Sequence, residues 1–303
     1  MTEPSTRSAV PDRPLPEGSG AGPETPSEPS AVAIRFWGVR GSIPVPEARY
    51  LGVGGNTACV HLRGPRGTHC ILDAGTGARA LGAALAAEAG RAPLDLHVLF
   101  SHFHWDHIQG LPFFAPLYTA GNRVTFYSGH DPNRLRGLLS GQMSGPYFPV
   151  PFEALSASME AVTLRMDAPT AIGEFAVTAF GLNHPQGACG YRITCEDRLI
   201  VYASDHEHGH PEADATLRRA AEGADVLICD AQFTPEEYTR RQGWGHTTWQ
   251  HAAELATHAA VDRLFLFHHD PAHDDAALAR ILECARAVFP QTDLATEQTR
   301  LWL

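Results

Sequence analysis

The chain has 303 residues, 44% of them hydrophobic, with 23 lysines and arginines against 34 aspartates and glutamates and a formal net charge of -11. That is enough apolar chain for a sizeable core; no stretch is long and apolar enough to span a bilayer, and no basic-then-apolar leader opens the chain, so the cytoplasm is the expected compartment and no membrane is expected as a partner. The acidic balance argues against gripping a long nucleic acid through its phosphates, which takes clustered basic residues, and leaves a small molecule as the expected partner; a homodimer is compatible with the same reading.

Residues 1–30, MTEPSTRSAVPDRPLPEGSGAGPETPSEPS, are rich in proline, serine, glycine and glutamate with almost nothing to bury. A disordered N-terminal tail is expected there, with the folded domain over 31–303. From Ala31 the strand-like segments AVAIRFWG, TACVHL, HCILDAG and LHVLFSH follow, with a helix-like GARALGAALAAEAG between the last two. A second set, EFAVTAFGLNH, GYRITCE, RLIVYAS, ADVLICD and DRLFLF, reads as strands. ATLRRAAEGA, TTWQHAAELATHAA and DDAALARILECARAVF between or after them read as helices. Two strand-rich halves with interspersed helices predict an α/β fold of four layers, two facing sheets covered outside by helices. Between the halves, residues 130–155 read as a short helix and then a Gly/Pro/aromatic loop, either a lid over a site or a plain connection. As a lid it would bring Met143, Tyr147 and Phe148 over a substrate, where the aromatic rings could stack on a base. The six cysteines lack any Cys-X-X-Cys pair and sit mostly in apolar segments, the pattern of buried free thiols.

Histidine is the outlier, 17 residues in all, and three fall within SHFHWDH, residues 101–107. His102 and His104 are spaced for one face of an extended segment; Asp106 and His107 follow where the strand has ended, so the turn can aim two ligand pairs at two neighbouring metal ions. Asp73, His184, Asp205 and His268 each follow a mostly apolar run, and strand ends are where α/β folds place their sites. Imidazole and carboxylate without thiolate suit Zn2+, and also Mn2+ or iron, in an open catalytic centre.

SHFHWDH matches the His-X-His-X-Asp-His signature of the metallo-β-lactamase fold superfamily, and LDAGTG, His184, Asp205 and His268 fall in that family's order over residues 31–303. The resemblance implies an αββα sandwich with a site for two divalent metal ions between the sheets. One ion would take His102, His104 and His184; the other Asp106, His107 and His268, chosen over His269 as the first residue after the strand. Asp205 would bridge them, and Asp73 would orient ligands without binding. A bridging aspartate resembles the hydrolase branches, and GWGHTTWQHAAELA (243–256) is similar to a block of the tRNA-maturation endonucleases and related phosphodiesterases. ICDAQF (228–233) falls where those enzymes carry His-Glu-Ala-Thr, with Cys229 and Asp230 in the places of the histidine and glutamate. Asp106, His246 and Asp230 are then the catalytic set, His246 protonating the leaving oxygen with Asp230 orienting it; a helix-start histidine bonded to backbone is the plainer account of His246.

GVRGSIPVPEARYLGVGGNTACV (38–60) resembles the opening of the phosphodiesterase branch and makes Asn56 a candidate substrate contact, with Arg40 and Arg192 as phosphate partners or salt-bridge residues. His206, His208 and His210 form either a further metal site or a polar rim. The resemblance favours a compact phosphodiester such as a 3',5'-cyclic nucleotide. The alternatives are tRNA 3'-end processing, thioester or lactone hydrolysis, and a non-catalytic metal sensor.

Overall fold

The computed structural model describes residues 31–297 and 299–303; the expected disordered tail lies outside the described residues. The first half supplies β1 (Ala33–Gly38), β2 (Cys59–Arg63), β3 (His69–Leu72), β4 (Asp95–Leu99), β5 (Arg123–Ser128) and β6 (Ser158–Thr163). The second supplies β7 (Pro169–Ile172), β8 (Phe175–Leu182), β9 (Ala188–Cys195), β10 (Arg198–Ala203), β11 (Val226–Asp230), β12 (Leu264–Phe267) and β13 (Thr292–Leu294). The last strand, β14 (Arg300–Trp302), returns to the first sheet, giving the orders β14-β1-β2-β3-β4-β5-β6 and β13-β12-β11-β10-β9-β8-β7. In each sheet an antiparallel portion passes into a parallel one, at β3 to β4 and at β10 to β11.

Strand alternation sorts the side chains into layers. On β1, β2 and β3, Ile34, Phe36, Val60, Leu62, Cys70 and Leu72 enter the core that joins the two halves, whereas Trp37, Cys59 and Ile71 enter a second core under helix α1 (Gly77–Ala89). β11 and β12 are buried at every position, as strands covered on both faces must be. The Phe36 ring meets Phe265 at 5.2 Å and Phe267 at 6.2 Å between centroids, which locks the sheets face to face.

Short helix α2 (Trp105–Ile108) lies within the histidine-rich motif. Helix α3 (Pro132–Gly141) is capped by Asp131, and α4 (Pro211–Ala221) begins on a proline with the His210 ring accepting from Ala213 N. After the single turn α5 (Pro235–Tyr238), α6 (Trp249–His258) and α7 (Asp275–Val288) start on Thr248 and Asp274, whose oxygens accept from the first-turn amides. The αββα layering expected from the sequence is the one observed. Strands β5, β6, β7, β13 and β14 are additions to the sequence reading: β6 and β7 are half-exposed, and β13 and β14 have three residues each, so periodicity had little to act on.

Of the three residues expected on a lid over 130–155, Met143 is instead part of the core. Met143 is 1% exposed in the core under the first sheet, and Phe148 packs edge-on to Phe113 at 5.6 Å, leaving Tyr147 as its bare aromatic at 78% exposure. Arg40 is likewise structural: fully buried, its Nε donates to Gly54 O (2.7 Å) and its Nη1 to His273 O (2.6 Å), so it is spent on backbone carbonyls.

If the Phe36–Phe265–Phe267 contact joins the sheets, Phe265→Ala should lower the unfolding free energy by about 3–5 kcal/mol in a denaturant titration, and a loss below about 1 kcal/mol would contradict it.

Candidate metal centre

The residues singled out in sequence converge at strand ends of both sheets. Asp73 follows β3, the 101–107 motif follows β4, His184 follows β8, Asp205 follows β10, Asp230 ends β11 and His268 follows β12. At three of these the chain turns through the left-handed region, with φ of 60° at Asp73, 58° at Asp205 and 59° at His268. For residues other than glycine this costs roughly 1–3 kcal/mol each and survives only where the surroundings enforce it. Gly41 supplies part of that enclosure: a Cβ there would lie 2.5 Å from the His268 ring.

Asp205 sits at the middle, 1% exposed. Its Oδ1 lies 3.2 Å from His107 Nε2 and 3.2 Å from His268 Nε2, while its Oδ2 faces His102 Nε2 (3.6 Å) and His184 Nε2 (3.8 Å). One oxygen therefore addresses each of two groups: His102, His104 and His184 on one side, Asp106, His107 and His268 on the other, both with ligand atoms close enough to share an ion.

The outward ring nitrogen of each imidazole is occupied, which fixes the inward one. His102 Nδ1 lies 3.1 Å from Ser101 Oγ, His104 Nε2 2.8 Å from Gln186 Oε1, and His107 Nδ1 2.8 Å from Asp73 Oδ2. His184 Nδ1 donates to Gly245 O (2.8 Å), and His268 Nδ1 lies 2.9 Å from Gln232 Oε1. Asp73 also accepts from the Ser101 amide and hydroxyl and from Tyr202 OH, so it orients the motif from beneath without facing the centre. Gln186 and Gln232 escaped the sequence reading, since a glutamine orienting a histidine has no spacing signature.

Three observations fit this cradle to cations. The buried Nε2 of His102 has no hydrogen-bond partner. Burial keeps His184 neutral, below its ordinary pKa, so with Nδ1–H on a carbonyl its Nε2 carries a lone pair, 3.1 Å from His104 Nδ1. Burial works against charge at Asp205, yet His268, His107 and His102 hold its carboxyl well below the usual range. Burial likewise opposes ionisation of Asp106, and His107 and His268 outweigh it. At His107 burial is outweighed by Asp205, Asp106 and Asp73, which raise the ring's pKa well above its usual value; the negative charge gathered there would serve a bound cation in place of that proton. Ionised carboxylates and proton-poor imidazoles are the forms that bind metal.

His246 enters from the loop before α6. Its Nδ1 lies 2.8 Å from Asp230 Oδ2 and 3.9 Å from Asp205 Oδ2, and its ring stacks on His268 at 5.0 Å. Burial favours the neutral ring, but Asp230, with Asp205 and Asp106 beyond it, lifts the imidazolium to about 9, so His246 carries its proton at neutral pH. Asp230 is fully buried, and its Oδ1 accepts from the amides of Gln232 and Thr247, which fixes the carboxylate that holds the ring. Cys229 points its thiol into the core, where burial raises its pKa.

Other candidates lie apart from this arrangement. His269 turns away from the cluster, its Nε2 donating to Ala295 O (3.0 Å), which resolves the choice between the neighbouring histidines in favour of His268. The amide and carboxamide nitrogens of Asn56 both donate to Glu297 (2.6 and 2.9 Å), a structural use in place of the expected substrate contact. Arg192 lies mid-strand in β9, opposite Val201 and Thr178. His206 bonds Asp214 (2.9 Å), His208 bonds Thr247 (2.7 Å) and His210 caps α4, so the three rings diverge into separate structural contacts.

The model of the beta-lactamase superfamily domain matches residues 68–269, more than half of the chain. Ribonuclease Z of Bradyrhizobium sp. is 25% identical over 315 residues, covering 88% of this chain and 98% of that protein. Among solved structures, the metallo-beta-lactamase fold protein YhfI from Bacillus subtilis superposes with a TM-score of 0.66 at 19% identity, covering 90% of this chain and 100% of its own. A diphosphatase from the PhnP family gives 0.64 at 16% identity, covering 90% and 97%. No helix among the described residues is long and apolar enough to cross a membrane. With that match added to the paired sheets and the imidazole and carboxylate cluster at their edge, the chain belongs to the beta-lactamase superfamily, as a metal-dependent hydrolase of the metallo-β-lactamase fold.

Proposed function

We propose that the protein is a phosphodiesterase working with two divalent ions, Zn2+ first among the candidates, on a compact phosphodiester such as a 3',5'-cyclic nucleotide. His102, His104 and His184 would hold one ion, Asp106, His107 and His268 the other, and Asp205 both. Bound there, the ions would supply Lewis acidity toward the phosphoryl oxygens and an activated water. The chain's own part is the proton. Cleavage of a phosphodiester expels a poor alkoxide, and His246, charged and held at Nδ1 by Asp230, is built to deliver a proton from Nε2 to that oxygen. This buried dyad is the observation that carries the reading, because thioester or lactone hydrolysis and metal sensing give an acid beside the metal ligands less to do.

Ribonuclease Z of Bradyrhizobium favours a second reading, RNA 3'-end processing. Against it stand the net charge of -11 and the 130–155 segment, which is packed on the domain instead of projecting as a basic arm. Assay of purified protein on a cyclic-nucleotide panel and on pre-tRNA separates the two, and turnover of pre-tRNA alone would transfer the assignment.

His246→Ala should cost ~100- to 10,000-fold on a cyclic nucleotide and little on bis(p-nitrophenyl) phosphate, whose leaving group needs no proton, with metal content unchanged. Asp230→Asn should show the same pattern more mildly; a parallel fall on both substrates would make His246 a ligand or a fold residue instead.

Elemental analysis should return two ions per chain. Asp205→Ala should weaken retention of both, whereas His184→Ala should weaken one, and a fully active preparation with a single ion per chain would refute the two-ion assignment.

A further inference from the structure

Trp105 and Trp244 are 66% and 61% exposed, among the barest apolar side chains of the described residues. Neither indole stacks on another ring or a cation among the described residues. Their positions are not scattered. Trp105 opens α2 between His104 and Asp106. Trp244 precedes Gly245, whose carbonyl accepts from His184 Nδ1 at 2.8 Å. His104 and His184 touch one another, Nδ1 to Nε2, at 3.1 Å. Two loops from different sheets thus each carry a bare tryptophan next in sequence to a residue that belongs to, or bonds, the same pair of imidazoles.

The mount of Trp244 is rigid. Glu207, 9% exposed, accepts from Gly243 N through Oε1 (2.6 Å) and from Gly245 N through Oε2 (2.7 Å), so one carboxylate pins the backbone on both sides of the tryptophan. Tyr238 OH donates to the same carboxylate at 3.2 Å. Both glycines take the left-handed conformation this loop requires, at φ 85° and 89°. Glu207 stands two residues after Asp205, which ties the loop to the central carboxylate. A large apolar ring left in water yet held on a preorganised backbone is the arrangement of a binding element, since the ordering cost is met before the ligand arrives.

We infer that Trp105 and Trp244 form an aromatic subsite on the His104/His184 side of the centre that takes the nucleobase of the substrate. The inference rests on the phosphodiesterase reading for its ligand class. A flat uncharged base suits indole faces, and stacking gives affinity without the phosphate-gripping cations that an acidic chain cannot spare. The subsite would favour nucleotides over base-free phosphodiesters and discriminate weakly among bases, because every base offers a π face.

The test compares binding of adenosine 5'-monophosphate with ribose 5-phosphate to the metal-loaded protein by calorimetry. Neither is a diester, so binding is read without turnover. The wild type should prefer the base-bearing ligand by roughly 10- to 100-fold. Trp105→Ala and Trp244→Ala should each erode that preference and the double variant should remove it, with ribose 5-phosphate affinity and metal content held; Trp→Phe at either position should retain most of it. No preference in the wild type, or one that survives the double variant, would overturn the subsite. Cyclic-nucleotide turnover, assayed alongside, tests the parent reading separately: a tryptophan-dependent preference without turnover leaves the subsite standing and removes the phosphodiesterase, and turnover without that preference does the reverse.

Discussion

Everything at this site follows from placing an ionised carboxylate where water does not reach it. Asp205 is 1% exposed and is surrounded by the rings of His102, His107, His184 and His268. An uncompensated charge there would be prohibitive, and the surrounding imidazoles compensate it only in part. A bound cation would close the balance, and outward hydrogen bonds to Ser101, Asp73, Gly245 and Gln232 keep the rings turned inward. The left-handed backbone at Asp73, Asp205 and His268 is the local cost of that orientation.

The same constraint divides the labour among the histidines. His102 and His184, whose outer nitrogens meet a hydroxyl and a carbonyl, are held neutral by burial and turn a lone pair inward. His246 instead meets the buried carboxylate of Asp230 and keeps its proton. His107 also faces a carboxylate, Asp73, but its other nitrogen looks directly at Asp205 and His268, inside the ligand set. Environment, more than residue type, assigns the roles.

Much of this was legible in the sequence because the chemistry is local. Four candidate ligands fall within six consecutive residues, and the others sit where apolar runs stop, so strand periodicity located them. The dyad was legible too, since His246 and Asp230 fall in recognisable blocks. What resisted was whatever depends on a partner distant in sequence. Asn56 and Arg40 lie in a glycine-rich stretch that invites a ligand-binding account, and only the fold shows that Glu297 and the carbonyls of Gly54 and His273 use them. Met143 has the look of a loop residue in a Gly/Pro/aromatic run but packs beneath the first sheet, where tertiary burial overrides local composition. The short edge strands were missed because three residues carry no period.

The strand order has a temporal consequence. The centre draws Asp73 and the 101–107 motif from one sheet and His184, Asp205, Asp230 and His268 from the other, and the last of these follows β12, while β14 closes the first sheet against β1. A chain leaving the ribosome therefore displays its densest histidine cluster long before the opposing residues exist to complete it. Because its ligands come from both sheets, the centre is complete only where the two sheets face one another.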